Sequence, residues 1–144
     1  MAITIPDLLK MSQKELDDLF TKSEPGPIPD GPAQGTAIIA PGTVYSPEIA
    51  KFVNLFVWQG KTFDGAHGVL RNRISVIGLN AIVAEVYKGP SWLDGKECIV
   101  LDYSKTSLVA QWIRDEIRLI APKVYLGKVY WEKKRLIDFA LQFE

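Results

Sequence analysis

The C-terminal segment alternates with a period of two: Ile137, Phe139, Leu141 and Phe143 fall on one side, and Leu136, Asp138, Ala140 and Gln142 on the other. That period puts successive side chains on opposite faces of a strand, so the end of this chain folds as half-buried sheet. Lys123 to Glu132 is a second strand, joined to Arg135–Phe143 across Lys133–Lys134, and the pair predicts a terminal hairpin that closes the sheet. The same reading upstream gives strands over Asn80–Tyr87 and Lys96–Tyr103. Asp94–Gly95 forms a two-residue hairpin turn between them, and Gly89–Pro90 interrupts the first. From Leu70 another half-buried strand sets Leu70, Ile74 and Val76 against Arg71, Arg73 and Ser75, and Gly35 to Ala40 is a short apolar run bounded by glycine and by Pro41–Gly42. Consecutive hairpins mean antiparallel pairing.

Helical signals come in three places. Ser12 with Glu15 reads as a capping box and Met11 with Leu16 as a hydrophobic staple, which predicts a helix over residues 13–22 with Leu16, Leu19 and Phe20 on one face. Six of the nine prolines lie between Pro25 and Pro47, and Glu24 to Pro32 can neither continue that helix nor pair as a central strand. Residues 1–34 are thus a separable helical brace plus a proline-rich connector, and residues 35–144 form the main domain. Ser46-Pro47-Glu48 begins a second helix, carried to about Val57 by Ile49, Phe52, Val53 and Phe56. Val109, Trp112, Ile113, Ile117 and Ile120 recur at helical spacing and predict a third over Thr106–Ile120, stopped by Pro122, with Asp115 and Arg118 paired on its solvated side.

About six strands with short turns, broken by one helix and preceded by two, give an α+β fold whose antiparallel sheet curls toward a barrel. Composition narrows the function. Lys plus Arg and Asp plus Glu each total 17, so a sequence-independent grip on nucleic acid or an anionic membrane is not expected. One cysteine, Cys98, and one histidine, His67, leave no disulfide and no His/Cys metal cluster. No cofactor is expected, and a haem on His67 is a remote option. Triads that need a histidine must use His67, and no nucleophile elbow is present. The N-terminus lacks a basic start and no 18-residue apolar run occurs, so a cytoplasmic domain is expected.

The segment Trp58-Gln59-Gly60-Lys61-Thr62-Phe63 resembles the W-x-G-K-x-F element of small bacterial proteins of unknown function with lipocalin-like barrels, the GXWXG type. The order of the remaining pieces agrees over roughly residues 35–144: a strand bearing Asn72, the strand end Leu101-Asp102-Tyr103-Ser104, and a final hairpin. The resemblance implies a small-molecule pocket and carries over no reaction. Trp58 is then either a plug at the barrel mouth or a ligand wall.

The residues offer further candidates. If Ile99, Leu101 and Tyr103 share one face, then Cys98, Val100 and Asp102 share the other, and Asp102 ends an otherwise apolar row. Either Asp102, its pKa raised by burial, or Tyr103 serves in proton transfer on a small carbonyl compound, or Asp102, Ser104 or Thr106 caps the helix starting near Thr106. Arg114 either lies on a solvated helix face or meets a ligand anion at the barrel mouth. Asn72, Asp102 and Asp138 are the inward polar candidates. The leading reading is a non-enzymatic barrel that binds a small, mostly apolar molecule. The alternatives are an isomerase-type or cyclase-type enzyme, and a homodimeric module in which the terminal hairpin pairs with a second copy.

Overall fold

The computed structural model describes residues 3–41, 46, 47, 49, 61–64, 69–73, 80–103 and 112–143. Two helices come first. α1 (Ile5–Leu9) starts from a capping box in which Thr4 and Asp7 exchange hydrogen bonds, and α2 (Gln13–Lys22) from the expected one between Ser12 and Glu15. Strands β1 (Gly31–Ile38), β2 (Lys61–Asp64), β3 (Val69–Arg73), β4 (Asn80–Pro90), β5 (Glu97–Asp102), β6 (Ile113–Ala121), β7 (Val124–Trp131) and β8 (Lys134–Phe143) follow. Each is antiparallel to the next, and β1 pairs with β8 from Ala33↔Phe143 to Ile38↔Asp138, so the sheet closes on itself. The α+β class with a curled antiparallel sheet is the observed one, and the curl runs to full closure. β8 is bonded on both sides, by β7 and β1, so the terminal hairpin has no open edge for a second copy.

The largest departure from the sequence reading is at Thr106–Ile120. Residues 113–121 are a strand, not the second half of a helix. Ile113, Ile117 and Ile120 imitate a helical stripe because an acid, Asp115, stands where alternation calls for an apolar residue. Asp115 and Arg118 consequently lie on opposite faces of β6 and do not pair. Pro122 and Lys123 form the turn into β7, with Lys123 at φ 63 in the position where a type II turn takes a left-handed residue. The expected helix from Ser46 falls mostly outside the described residues. Pro47 and Ile49 are helical, and Ser46 Oγ accepts from the Ile49 N–H at 3.2 Å.

Other departures are smaller. β4 runs through Gly89 and Pro90, which face Cys98 and Glu97, instead of breaking there. The hairpin that follows is a loop over Ser91–Lys96, in which Gly95 takes φ 75 and Asp94 Oδ1 accepts from the Lys96 N–H. β1 begins at Gly31, with Pro32 opposite Thr62, so the barrel takes in residues assigned to the connector. The terminal turn is Glu132–Lys133, at φ 51 and 72, the left-handed pair that suits a two-residue hairpin.

Parity sorts the side chains. Ile99, Leu101, Ile113, Ile117, Tyr125, Val129, Ile137, Phe139 and Leu141 fill the interior, joined by Ile49 and, from the connector, Ile28. The opposite face of β5 to β8 presents Cys98, Val100, Leu126 and Ala140 to Leu8, Leu16 and Phe20 of the helices. Burying a side chain such as Leu16 or Phe20 stabilises by about 1.5–3 kcal/mol. The connector crosses one end of the barrel: the Leu119 N–H donates to Glu24 O at 3.2 Å and Tyr125 Oη to Pro27 O at 2.7 Å. Gly26 has φ 70 there, and a Cβ on it would stand 2.7 Å from Leu119 Cβ.

Candidate functional site

Among the described buried residues on the inner face of β5, β6 and β7, Asp115 is the one charged side chain. Asp115 pairs with Leu101 on one side and Val129 on the other, sits between Ile113 and Ile117 along its own strand, and is 0% exposed. A carboxylate held on the inward surface of a barrel is the first candidate for function. Tyr103, just beyond the end of β5, is also buried and belongs to the same interior cluster. By register it lies diagonally across from Asp115, within reach of a long side chain. A carboxylate and a phenol on one inward surface can hold the polar end of a small molecule or pass a proton to and from it.

The sequence candidates are distributed differently. Asp102 ends β5 on the outer face, half-buried, and accepts from Tyr87 Oη at 3.1 Å. Burial, followed by the Asp102 charge, pushes the Tyr87 phenol up. Asp102 is therefore not an inward group, and the start of the helix it was expected to cap, near Thr106, lies outside the described residues. Arg114 is on the outer face of β6, not at the barrel mouth and not on a helix. It donates to Glu116 Oε2 at 3.0 Å and Pro90 O at 2.9 Å, and stacks 4.3 Å from the centre of the Trp92 ring. Glu116, fully buried, accepts in addition from Ser91 Oγ at 2.6 Å and the Trp92 N–H at 2.7 Å.

Asp138 also faces outward, beneath α2. Lys128 Nζ donates to Asp138 Oδ2 at 2.6 Å and to Asp17 Oδ1 at 2.7 Å, and Arg135 closes a two-pronged pair on Asp17 at 3.0 and 3.1 Å. Burial pushes the Asp138 carboxyl up, with Lys128 opposing, so this is a structural ion pair holding helix to barrel. Arg118 plays a similar part: it grips Asp94 at 2.7 and 2.8 Å and Phe20 O at 2.8 Å, linking α2 to the β4–β5 loop. Asn72 holds a backbone position opposite Lys61 and Ile82. Trp58 and His67 lie outside the described residues. Cys98 is buried under the helices, and burial pushes its thiol up to about 12, which leaves it a poor nucleophile.

Sequence reasoning missed Asp115 because it put that residue on a helix. Read as a strand, the same residues align Asp115 with Ile113 and Ile117, and that parity was the available signal. Among the described residues no group of three or more His, Cys, Asp or Glu is placed to hold a metal ion, and no helix is long and apolar enough to cross a membrane.

The chain is similar in fold to a solved structure. It is the crystal structure of a protein from Thermomonospora curvata, 16% identical, with a TM-score of 0.64 over 94% of this chain and 89% of that one. No family model and no curated protein matches the chain.

Proposed function

We propose that the barrel binds one small, mostly apolar molecule in its interior, with Asp115 and Tyr103 fixing the molecule's polar end. The observation that carries this is the fully buried Asp115 among Leu101, Ile113, Ile117 and Val129. An eight-stranded barrel is wide enough to be filled by its own side chains or to hold one small ligand, and a mostly apolar cavity with a few convergent polar groups is the common form of such a site. The W-x-G-K-x-F resemblance and a cytoplasmic setting belong to the same reading. Native mass spectrometry of freshly purified protein tests it. The wild type should carry an additional small mass that Asp115→Asn loses while keeping its near-ultraviolet circular dichroism. A wild type that carries no added mass and gives no thermal shift with any member of a small-molecule library would overturn it.

A second reading, proton transfer on a bound carbonyl compound, is favoured by Tyr103 and Asp115 sharing one inward surface. It predicts exchange of α-protons of a bound ketone with deuterated solvent, seen by NMR, which Asp115→Asn abolishes. Binding without exchange would leave the protein a carrier.

A further inference from the structure

We infer that the outer face of β5–β8 is a helix-binding groove that takes, from another protein, an amphipathic helix bearing an aspartate and, three residues on, a phenylalanine; α2 is its built-in occupant and competitor. Four cations converge on α2. Lys128 on β7 and Arg135 on β8 hold the Asp17 carboxylate at 2.7 and 3.0 Å. Arg118 on β6 and Lys96 in the β4–β5 loop reach the Phe20 and Thr21 carbonyls at 2.8 and 2.7 Å. Those carbonyls belong to the last turn of α2, where the negative end of the helix dipole lies. The Phe20 ring lies against two of the same cations, with Arg118 Cζ 4.4 Å and Lys128 Nζ 5.5 Å from its centre. Among the described residues, the barrel carboxylates paired with these four cations are Asp94 and Asp138, so the seat keeps an excess of positive charge that Asp17 meets.

A brace kept only for stability needs no such underside. Arg118 and Lys128 are 0% exposed, and hydrocarbon of similar volume often matches or betters a buried ion pair in stability. Buried cations supply discrimination instead, since a helix that lacks the acid leaves one of them without its counter-charge. Leu16 and Phe20, four residues apart, add apolar anchors that pack with Cys98, Val100 and Leu126, the pattern by which amphipathic helices enter grooves. α2 can also leave as a unit. Its capping box of Ser12 and Glu15 is internal to it, the ring of strands closes without it, and the connector is its covalent tie to the barrel.

The probe is a fluorescein-labelled peptide of residues 11–23, with an Asp17→Asn/Phe20→Ala version of the peptide as control. Each is titrated by fluorescence anisotropy into the full chain as wild type, Asp17→Lys and Asp17→Lys/Phe20→Ala. In the wild type the tethered α2 competes at an effective concentration on the order of millimolar, so the matched peptide should bind the variants about tenfold more tightly or better. The control peptide should bind none of the three. Bound peptide should slow the reaction of Cys98 with a thiol reagent in the variants, which locates it under the same roof as α2. Asp17→Lys keeps Leu16 and Phe20 and serves if the double variant does not fold. Equal affinity for wild type and a folded variant, no binding to either, equal binding of the control peptide, or binding that leaves Cys98 unprotected overturns the groove. Reversible dimerisation of the wild type in sedimentation, lost in Asp17→Lys, gives the groove to a second copy's α2 and overturns its assignment to another protein.

Discussion

Lys128 is fully buried between two carboxylates, Asp138 on the neighbouring strand and Asp17 on α2. Truncating it leaves Asp138 buried without its cation, and losses on the order of 3–5 kcal/mol follow from breaking one side of such a pair. Lys128→Ala should lower the urea midpoint accordingly, whereas Lys128→Met with Asp138→Leu, which removes both charges and keeps volume, should recover most of the loss. The same network sets the acid response. Burial would raise the Asp17 carboxyl, but hydrogen bonds from Lys128 and Gln13 and the charges of Lys128 and Arg135 more than offset it and hold the folded pKa below 3.8. A depressed folded value means stability that is present above 3.8 and lost as pH falls through the lower folded one; Asp94, held down chiefly by Arg118, adds to it with the same sign. Asp138 has the opposite sign, its contribution falling as pH rises from 3.8 through its raised value. Melting temperature followed downward through 3.8 should therefore drop less steeply in Asp17→Asn than in wild type, and more steeply in Asp138→Asn.

At the scale of elements, β7 and β8 depend on a single missing side chain. Gly127→Ala drives a methyl group into the Phe139 ring, and overpacking of this kind costs about 1–3 kcal/mol. Denaturation of Gly127→Ala and of Gly127→Ala/Phe139→Leu should show the loss and its recovery by the smaller partner. These strands were also the most legible in the sequence, because Ile137, Phe139 and Leu141 face the core while Asp138, Ala140 and Gln142 face away, and the alternation survives. α2 was legible from its caps, which act within one turn and need no tertiary partner. β6 was not. Both of its faces are buried, Arg118 and Glu116 beneath α2 and the β4–β5 loop and Asp115 inside, so polar and apolar no longer distinguish outside from inside. The site was hidden for the same reason, since the residue that marks it violates the pattern by which strands are recognised. Asp138 was misplaced for the converse reason: an acid in a strand suggests a lined cavity until the helix that covers it, and the lysine that neutralises it, are seen.

For the whole molecule, the hydrogen-bonded ring of strands is complete without α1 and α2, while the helices cover Cys98, Val100, Leu126 and Ala140. Removal of residues 1–24 should leave a cooperative transition at a lower urea midpoint and open Cys98 to a thiol reagent that does not touch it in the full chain. Absence of any cooperative transition would make the helices part of the barrel's own core. The β1–β8 seam joins the first strand of the chain to the last. A chain made from its N-terminus can form α2 and pair β1 with β2 as they emerge, but the second edge of β1 has no partner until β8 has been synthesised. The nascent protein therefore carries an open β1 edge until β8 pairs with it. An edge left open for so long is a site for wrong pairing, and the exposed backbone of β1 is where a holding factor would meet this chain.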